Sequence, residues 1–381
     1  MDFALNEEQR MIRDAARELS QNEIRPRAAA TDETREFPWD NVKLLAEQGF
    51  MGMCVPEQYG GPELDFLSYI VALEEVSAAC AATGVIMSVQ NSLVCGPLMA
   101  FGNEEQKQKY LPKLASGEWI GSYCLTEPGA GSDAANQKTR AELHGDHYVL
   151  NGTKMFVTNG GAASLYVVYA RTDPGAKSRG ITAFLVEAAF PGVEKGHREK
   201  TMGIRGSSTI ELLLKDAEVP VENVLGEVNR GYGVALGTLE SGRIGIAAQA
   251  IGIARNAFDE ALKYTQEREQ FGQPLAEFQA IQWKLSDMIA EIEGAQLVTY
   301  RAASMRNAGE RCAREASIAK LYASEAAVHC ADRAVQCHGG YGFIQDFPVE
   351  RLYRDAKITQ LYEGTSEIQR LVIAATLLKA G

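Results

Sequence analysis

Several chemistries have no anchor in this chain. It has no C-x-x-C pair, no H-E-x-x-H run, no G-x-S-x-G elbow, and neither the G-x-G-x-x-G nor the Walker A spacing. Thiol redox pairs, zincin helices, α/β-hydrolase nucleophiles and the generic nucleotide fingerprints are therefore not expected. The five histidines are scattered; His144 and His147 bracket Gly145-Asp146 and read as the two sides of a hairpin turn, not a metal site. Basic charge is in deficit: 38 Lys and Arg against 50 Asp and Glu give a net charge of −12, whose long-range field repels nucleic acid and anionic membranes. The seven cysteines (Cys54, Cys80, Cys95, Cys124, Cys312, Cys330, Cys337) are odd in number and widely spaced, which suits reduced, mostly buried thiols. The start, Met1 to Glu8, has no basic segment followed by an apolar core, and no later uninterrupted apolar stretch reads as long enough to span a bilayer. A soluble protein of a cytoplasmic compartment is expected, or of the mitochondrial matrix if a transit peptide has been removed.

What is present points to a sizeable globular protein, with 381 residues, 46% hydrophobic and 23% charged. Residues 1–120 carry helical periodicity: Asn6 and Gln9 form a capping pair ahead of Met11, Ile12, Ala15, Ala16 and Leu19, and Pro38 opens a short helix that Gly49 closes. Over 121–230 the period shortens. Tyr148 to Leu150, Met155 to Val157, Leu165 to Ala170, Ile181 to Val186 and Ile210 to Leu214 are short apolar or alternating runs separated by Asn151-Gly152, Asn159-Gly160-Gly161 and Asp173-Pro174-Gly175. These predict a β domain of meander or barrel type. Helical spacing returns over 231–381, with long segments near 233–267, 277–307 and 313–337. Helices, then strands, then helices argue for an α+β multidomain protein and against a doubly wound parallel sheet.

Four segments carry candidate chemistry. Leu361-Tyr362-Glu363-Gly364-Thr365-Ser366-Glu367 sets an isolated carboxylate on a bend before a helix that Thr365 caps, with Ile368, Leu371, Val372 and Ala375 at helical spacing. Glu363 reads equally as a general base or as a solvated surface residue. The loop Tyr123-Cys124-Leu125-Thr126-Glu127-Pro128-Gly129-Ala130-Gly131-Ser132-Asp133 offers amides and hydroxyls to a ring edge or phosphate, or is a tight turn between domains. In Asn151 to Gly160, a strand period of two would put Phe156 and Thr158 on one face, suited to a flat heteroaromatic ligand or simply to a core. Gln336-Cys337-His338-Gly339-Gly340-Tyr341-Gly342 ends a helix with glycines, which permits close ligand approach or just a cap. Arg268 could bind a diphosphate or lie on the surface.

Taken in order, these segments resemble the acyl-CoA dehydrogenase family along essentially the whole chain, with Arg354-Asp355-Ala356-Lys357-Ile358 ahead of Tyr362-Glu363-Gly364-Thr365 as a further signature. The resemblance implies an N-terminal helical domain, a central β-barrel-like domain and a C-terminal four-helix bundle. It also implies FAD. By resemblance Tyr123, Leu125, Thr126, Gly131, Ser132, Phe156, Val157 and Thr158 hold the flavin, with Thr158 near its N5 edge. Arg268, Phe271, Gln279, Gln336, Cys337, His338, Gly339 and Gly340 would meet the adenosine diphosphate half from a neighbouring subunit of a homotetramer, a dimer of dimers, and Thr365, Ser366 and Glu367 complete the site.

The chemistry implied is α,β-dehydrogenation of an acyl-CoA. Glu363 would take the α-proton while the β-hydrogen leaves as hydride toward the flavin, and the thioester oxyanion would be met by the Glu363 amide. Ser132, Glu240, Arg243 and Gly364 would contact the substrate. Some branched-chain and long-chain members carry their base just before the residue matching Arg243, where this chain has Gly242. That places the expectation on short-chain, butyryl-CoA-type enzymes, with electron-transferring flavoprotein as partner. Members commonly have aspartate where Glu240 stands, so that contact is the least defined. Three alternatives share the fold: a branched, cyclic or dicarboxylic substrate, an enoyl-CoA reductase, and a non-dehydrogenase flavoprotein of the DNA-associated type, which the −12 charge disfavours.

Overall fold

The computed structural model describes residues 4–379. The first third is helical: α1 (Glu7–Leu19), α2 (Ala28–Thr34), α3 (Trp39–Glu47), α4 (Phe66–Ala79), α5 (Ala81–Ser88), α6 (Gly96–Phe101) and α7 (Glu104–Ala115). The expected start of α1 forms, with the Asn6 side chain accepting from the Gln9 backbone at 2.8 Å and the Gln9 side chain accepting from the Asn6 backbone at 3.0 Å. Between α5 and α6 the backbone runs through a π-helical stretch, Val89–Cys95, so that residues 81–101 form one continuous helical run. By length and average composition that run could cross a membrane, although it is not the uninterrupted apolar stretch that the sequence reading looked for. Its glycines, serines and amides interrupt the apolar residues without lowering their average enough, and most of it is buried inside the protein.

The middle third is a sheet of β1 (Gly121–Cys124), β2 (Arg140–His144), β3 (His147–Val157), β4 (Leu165–Arg171), β5 (Ile181–Glu187), β6 (Val193–Arg198), β7 (Ile210–Pro220) and β8 (Val224–Leu225). The order is β6-β7-β3-β2-β4-β5-β8, with β1 parallel to β4. The hairpin read at Gly145-Asp146 joins β2 to β3, with His144 opposite His147. The unbroken apolar run in β4 follows from burial on both faces. Leu165, Val167 and Tyr169 pack into the large core shared with the helices, while Tyr166, Val168 and Ala170 face a second core built within the sheet.

The last third holds α8 (Gly231–Glu267), a two-stranded ribbon of β9 (Glu269–Gln270) and β10 (Gln273–Pro274), α9 (Gln279–Asn307), α10 (Ala313–His338), α11 (Val349–Ile358) and α12 (Ser366–Lys379). Helices α8, α9 and α10 pack against one another, α12 lies on α10, and α4 packs on α8 and α9. A charge network built on two buried carboxylates stitches the N-terminal helices to this bundle. Arg255 on α8 reaches Glu74 at 2.5 Å and Glu75 at 2.9 Å, Arg17 on α1 reaches Glu75 at 2.8 Å, and Gln296 and Tyr300 on α9 donate to Glu74. Each carboxylate is paired several times over, as burial of charge requires.

Candidate active site

Two elements bring the central carboxylate into place. After α11 the chain turns through residues 359–363, and Glu363 adopts φ +53°, Gly364 φ +95°. The turn then feeds α12, whose N-cap is Thr365, its hydroxyl accepting from the Ile368 backbone at 3.4 Å. This carries the Glu363 side chain to α8 and the π-helical stretch. A Cβ added to Gly242 would overlap Glu363 Oε2 and lie 2.8 Å from Leu93 Cδ2. The absence of a side chain at 242 is therefore what makes room for the carboxylate.

Glu363 Oε2 is buried and has no hydrogen-bond partner. Burial pushes the carboxyl up to about 7, opposed by the positive charges of Lys320 on α10 and Arg243 on α8. Around it stand Tyr69, Tyr123 and Tyr362, whose hydroxyls are themselves pushed up by burial. The Tyr362 hydroxyl donates to the Gln249 side chain, and that of Tyr69 shares a hydrogen bond with Ser92 at 2.9 Å. The Glu363 backbone N–H makes no hydrogen bond to any described residue. Arg243 is buried and touches Ser317 at 3.5 Å, while its Nε has no partner. Glu240 lies one turn before it on α8 and makes no ion pair among the described residues.

The loop over Tyr123–Asp133 and the end of β3 do come together. The Met155 backbone donates to the Thr126 carbonyl at 2.8 Å and the Ser122 hydroxyl to the Thr158 carbonyl at 2.8 Å. Gly129 and Gly131 face open space, Ser132 is exposed, and the Gly131 and Ser132 amides bond to no described residue, so this edge is an open cradle of donors. Glu127 anchors it from beneath. It accepts from the Lys138 and Thr139 backbones and from Lys154 Nζ at 2.8 Å, and Lys154 is itself fully buried and also bonded to Gln137. The expectation that Phe156 and Thr158 share a strand face does not hold. A bulge between Lys154 and Val157 puts Phe156 at φ +55°, β3 ends at Val157, and Thr158 sits in the following turn. Phe156 is 62% exposed, whereas the Val157 and Leu125 side chains are core, so those two can meet a ligand only through backbone.

A second group of the expected residues comes together elsewhere on the chain. Arg268, Tyr264, Cys337, His338, Gly339 and Gly340 line a cavity of about 480 Å³, with Arg268 over the Tyr341 ring at 5.7 Å. The buried His338 ring stacks on Tyr264 and its Nδ1 bonds to the Ala334 carbonyl at 2.8 Å, leaving Nε2 without a partner. Phe271, Gln279 and Gln336 are exposed and are not among its lining residues. None of those lining residues belongs to the Glu363 site or to the 123–132 loop. Helix α12 differs from its sequence reading in one respect. Its inward residues include polar Ser366 and Gln369, because Gln369 donates to the Gly364 and Glu363 carbonyls, while Leu371, Leu377 and Leu378 are exposed and Glu367 points outward.

Sequence reasoning missed Lys320 and Gln369. Lys320 is fully buried and its Nζ donates to the Gly364 carbonyl at 2.7 Å. The available signal was a lysine inside the buried small-residue face Ala316, Ala319, Ala323, Ala327.

Models of three consecutive domains match this chain: the acyl-CoA dehydrogenase N-terminal domain over residues 6–118, the middle domain over 122–217 and the C-terminal domain over 229–378. The short-chain specific acyl-CoA dehydrogenase of Clostridium acetobutylicum is 50% identical over 379 residues, covering 100% of both chains. Butyryl-CoA dehydrogenase from Megasphaera elsdenii superposes with a TM-score of 0.97 at 43% identity, covering 99% of this chain and 100% of that one. A chain from a structure described as the electron transferring flavoprotein of Acidaminococcus fermentans, towards a mechanism of flavin-based electron bifurcation, superposes with a TM-score of 0.98 at 46% identity over 100% of both.

Proposed function

The chain belongs to the acyl-CoA dehydrogenase family, and on that premise we propose that it oxidises a short-chain acyl-CoA to the trans-2-enoyl-CoA with Glu363 as the base. The observation that carries this reading is the buried Glu363 Oε2, without a hydrogen-bond partner and facing Gly242. A carboxylate held by hydrogen bonds would be a weak base. One raised to about 7 by burial is ionised and basic enough near neutral pH.

The α-proton of the thioester passes to Glu363, and the carbonyl oxygen gains negative charge. The free Glu363 N–H is a donor suited to that oxygen. The β-hydrogen leaves with its electron pair, so the substrate loses two electrons and two hydrogens. FAD, when bound, supplies the hydride acceptor. The residues present fit that group. The Gly131 and Ser132 amides, Thr126, Thr158 and the exposed Phe156 ring would hold the flavin, with Tyr123 behind and Leu125 and Val157 contributing backbone. The unpartnered His338 Nε2, Arg268 and the open Gly339-Gly340 would take the adenosine diphosphate half, flanked by Phe271, Gln279, Gln336, Cys337 and the α12 start, Thr365 to Glu367. Because these two half-sites are separate within one chain, the second would come from a neighbouring copy in a homotetramer. The exposed Phe271 and α12 leucines are suited to such contacts.

Arg243, with its Nε free, together with Ser132 and Glu240, would meet the coenzyme portion. Gly364 would leave the thioester uncrowded, and its φ of +95° gives an independent reason for glycine there. Electron-transferring flavoprotein is the proposed acceptor of the electrons. The test is Glu363→Gln in the yellow holoenzyme, mixed anaerobically with butyryl-CoA and hexanoyl-CoA. Flavin should stay bound while bleaching slows by about 10²–10⁴-fold or more. Near-normal bleaching would place the base elsewhere, and no turnover of either thioester by the unmodified enzyme would end the short-chain reading.

A further inference from the structure

We propose that Lys320 is a positioning residue for Glu363: its buried ammonium fixes the Gly364 carbonyl, and with it the left-handed Glu363-Gly364 bend, while setting a positive charge beside the base. The inference rests on Glu363 being that base. Lys320 sits about two turns into α10 with no side-chain exposure, among Ala316, Ala319 and Ala323. Burying an ammonium costs several kcal/mol unless it is compensated. Its hydrogen bond goes to the Gly364 carbonyl at 2.7 Å, and Gln369 donates to the same oxygen at 2.8 Å. Two buried donors thus converge on the carbonyl next to Glu363.

No carboxylate oxygen lies within 4.0 Å of Lys320 Nζ among the described residues, so this is not a closed ion pair. Burial pulls the Lys320 ammonium down to about 7, against the pull of Glu363 and Glu367 and with the repulsion of Arg243, so it carries its charge around and below neutral pH, where the acidic limb lies. Facing Glu363 are Lys320 from α10, Arg243 from α8, Tyr69 from α4, Tyr123 from β1 and the adjacent Tyr362. The two cations favour the ionised carboxylate; burial opposes it. A purely structural lysine would secure the bend without affecting the protonation of the base. A positioning lysine does both.

Two variants separate these roles in the FAD-loaded enzyme: Lys320→Met removes charge and donor, and Lys320→Gln removes the charge but keeps a donor for Gly364. The pH profile of kcat/KM would be measured alongside the infrared carboxyl band that Glu363→Gln abolishes. Without the cation the carboxyl holds its proton to higher pH. Both variants should therefore move the acidic limb, and the carboxyl band, upward by about one pH unit, a roughly tenfold loss below the limb that recovers in alkali. Lys320→Met should also lose kcat at every pH. An unmoved limb and band in Lys320→Gln, with Glu363→Gln inactive, would overturn the role of Lys320 and leave the base assignment standing. Activity in Glu363→Gln would overturn the base assignment itself, and this inference with it. If Lys320→Met does not fold, Lys320→Gln alone decides.

Discussion

Substituting Gly242 by alanine tests whether vacancy on α8 positions the base. The added Cβ would overlap Glu363 Oε2, lie 3.0 Å from Glu363 Cδ and meet Leu93 Cδ2 at 2.8 Å. Ordinary carbon contacts sit at about 3.5–4.0 Å, so the carboxylate must retreat by roughly 1 Å. A displacement of that size costs about 10²-fold in kcat, or about 2.7 kcal/mol of transition-state stabilisation. Stability moves less. Alanine gains about 1 kcal/mol over glycine in a helix, while overpacking costs about 1–3 kcal/mol, leaving a net loss of about 2 kcal/mol at most. Gly233→Ala is the control on the same helix, since nothing lies within 4 Å of its would-be Cβ. It should gain up to about 1 kcal/mol and keep full activity. The assays are anaerobic flavin bleaching by butyryl-CoA and thermal unfolding of both holoenzymes. A Gly242→Ala enzyme with kcat within about threefold of the parent, while Glu363→Gln is inactive, would refute the reasoning.

Other consequences follow from the buried charges. Because the base must be ionised and burial raises Glu363 to about 7, kcat/KM should rise about tenfold per pH unit up to a limb near 7; a limb at the ordinary glutamate value of 4.5 would contradict it. Lys154→Met leaves Glu127 buried without its cation, and should cost about 3–5 kcal/mol, lower the thermal midpoint and speed FAD release. An unchanged midpoint would show that this pair is not what anchors the loop. Asp355, pushed up by burial to about 6, accepts from the Ile204 backbone at 2.5 Å. Its folded value exceeds the unfolded one, so its contribution to stability is present at low pH and is lost as pH rises from 3.8 through about 6. Asp355→Asn keeps the acceptor and removes the titration. Its stability relative to the parent should improve by about 1 kcal/mol between pH 5 and 7.5 in urea unfolding; no change with pH would count against it.

The helical thirds were legible because period and caps agree: Asn6 with Gln9, Pro38 with Gly49, and Thr365 before α12 all do locally what their sequence says. The β third was legible from turn residues and from the two-sided burial of β4. The bulge in β3 was not, because the strained position falls on Phe156 and not on a glycine that would have marked it. The partners of Lys320 and Gln369 and the Leu93 contact were also invisible. Each acts through a long-range approach that only the packed helices create, and a lone lysine among alanines carries no partner's name.

Glu363, the proposed base, is held in an unusual way. Glu363 is a non-glycine residue at φ +53°, a conformation that costs on the order of 1–3 kcal/mol and persists only where its surroundings over-determine it. The restraints lie around it: Lys320 and Gln369 on the Gly364 carbonyl, Gln369 also on the Glu363 carbonyl, Thr365 capping the next helix, and the neighbouring Tyr362 side chain tied to that of Gln249. None is on the carboxylate. Had the restraint been placed there, hydrogen bonds to the charged form would have lowered its proton affinity and spent its basicity on structure. Holding the peptide while leaving Oε2 bare separates position from reactivity. Position is then set by three helices and reactivity by burial against two nearby cations, so a substitution can alter one without the other, as the Gly242 and Lys320 variants are designed to show.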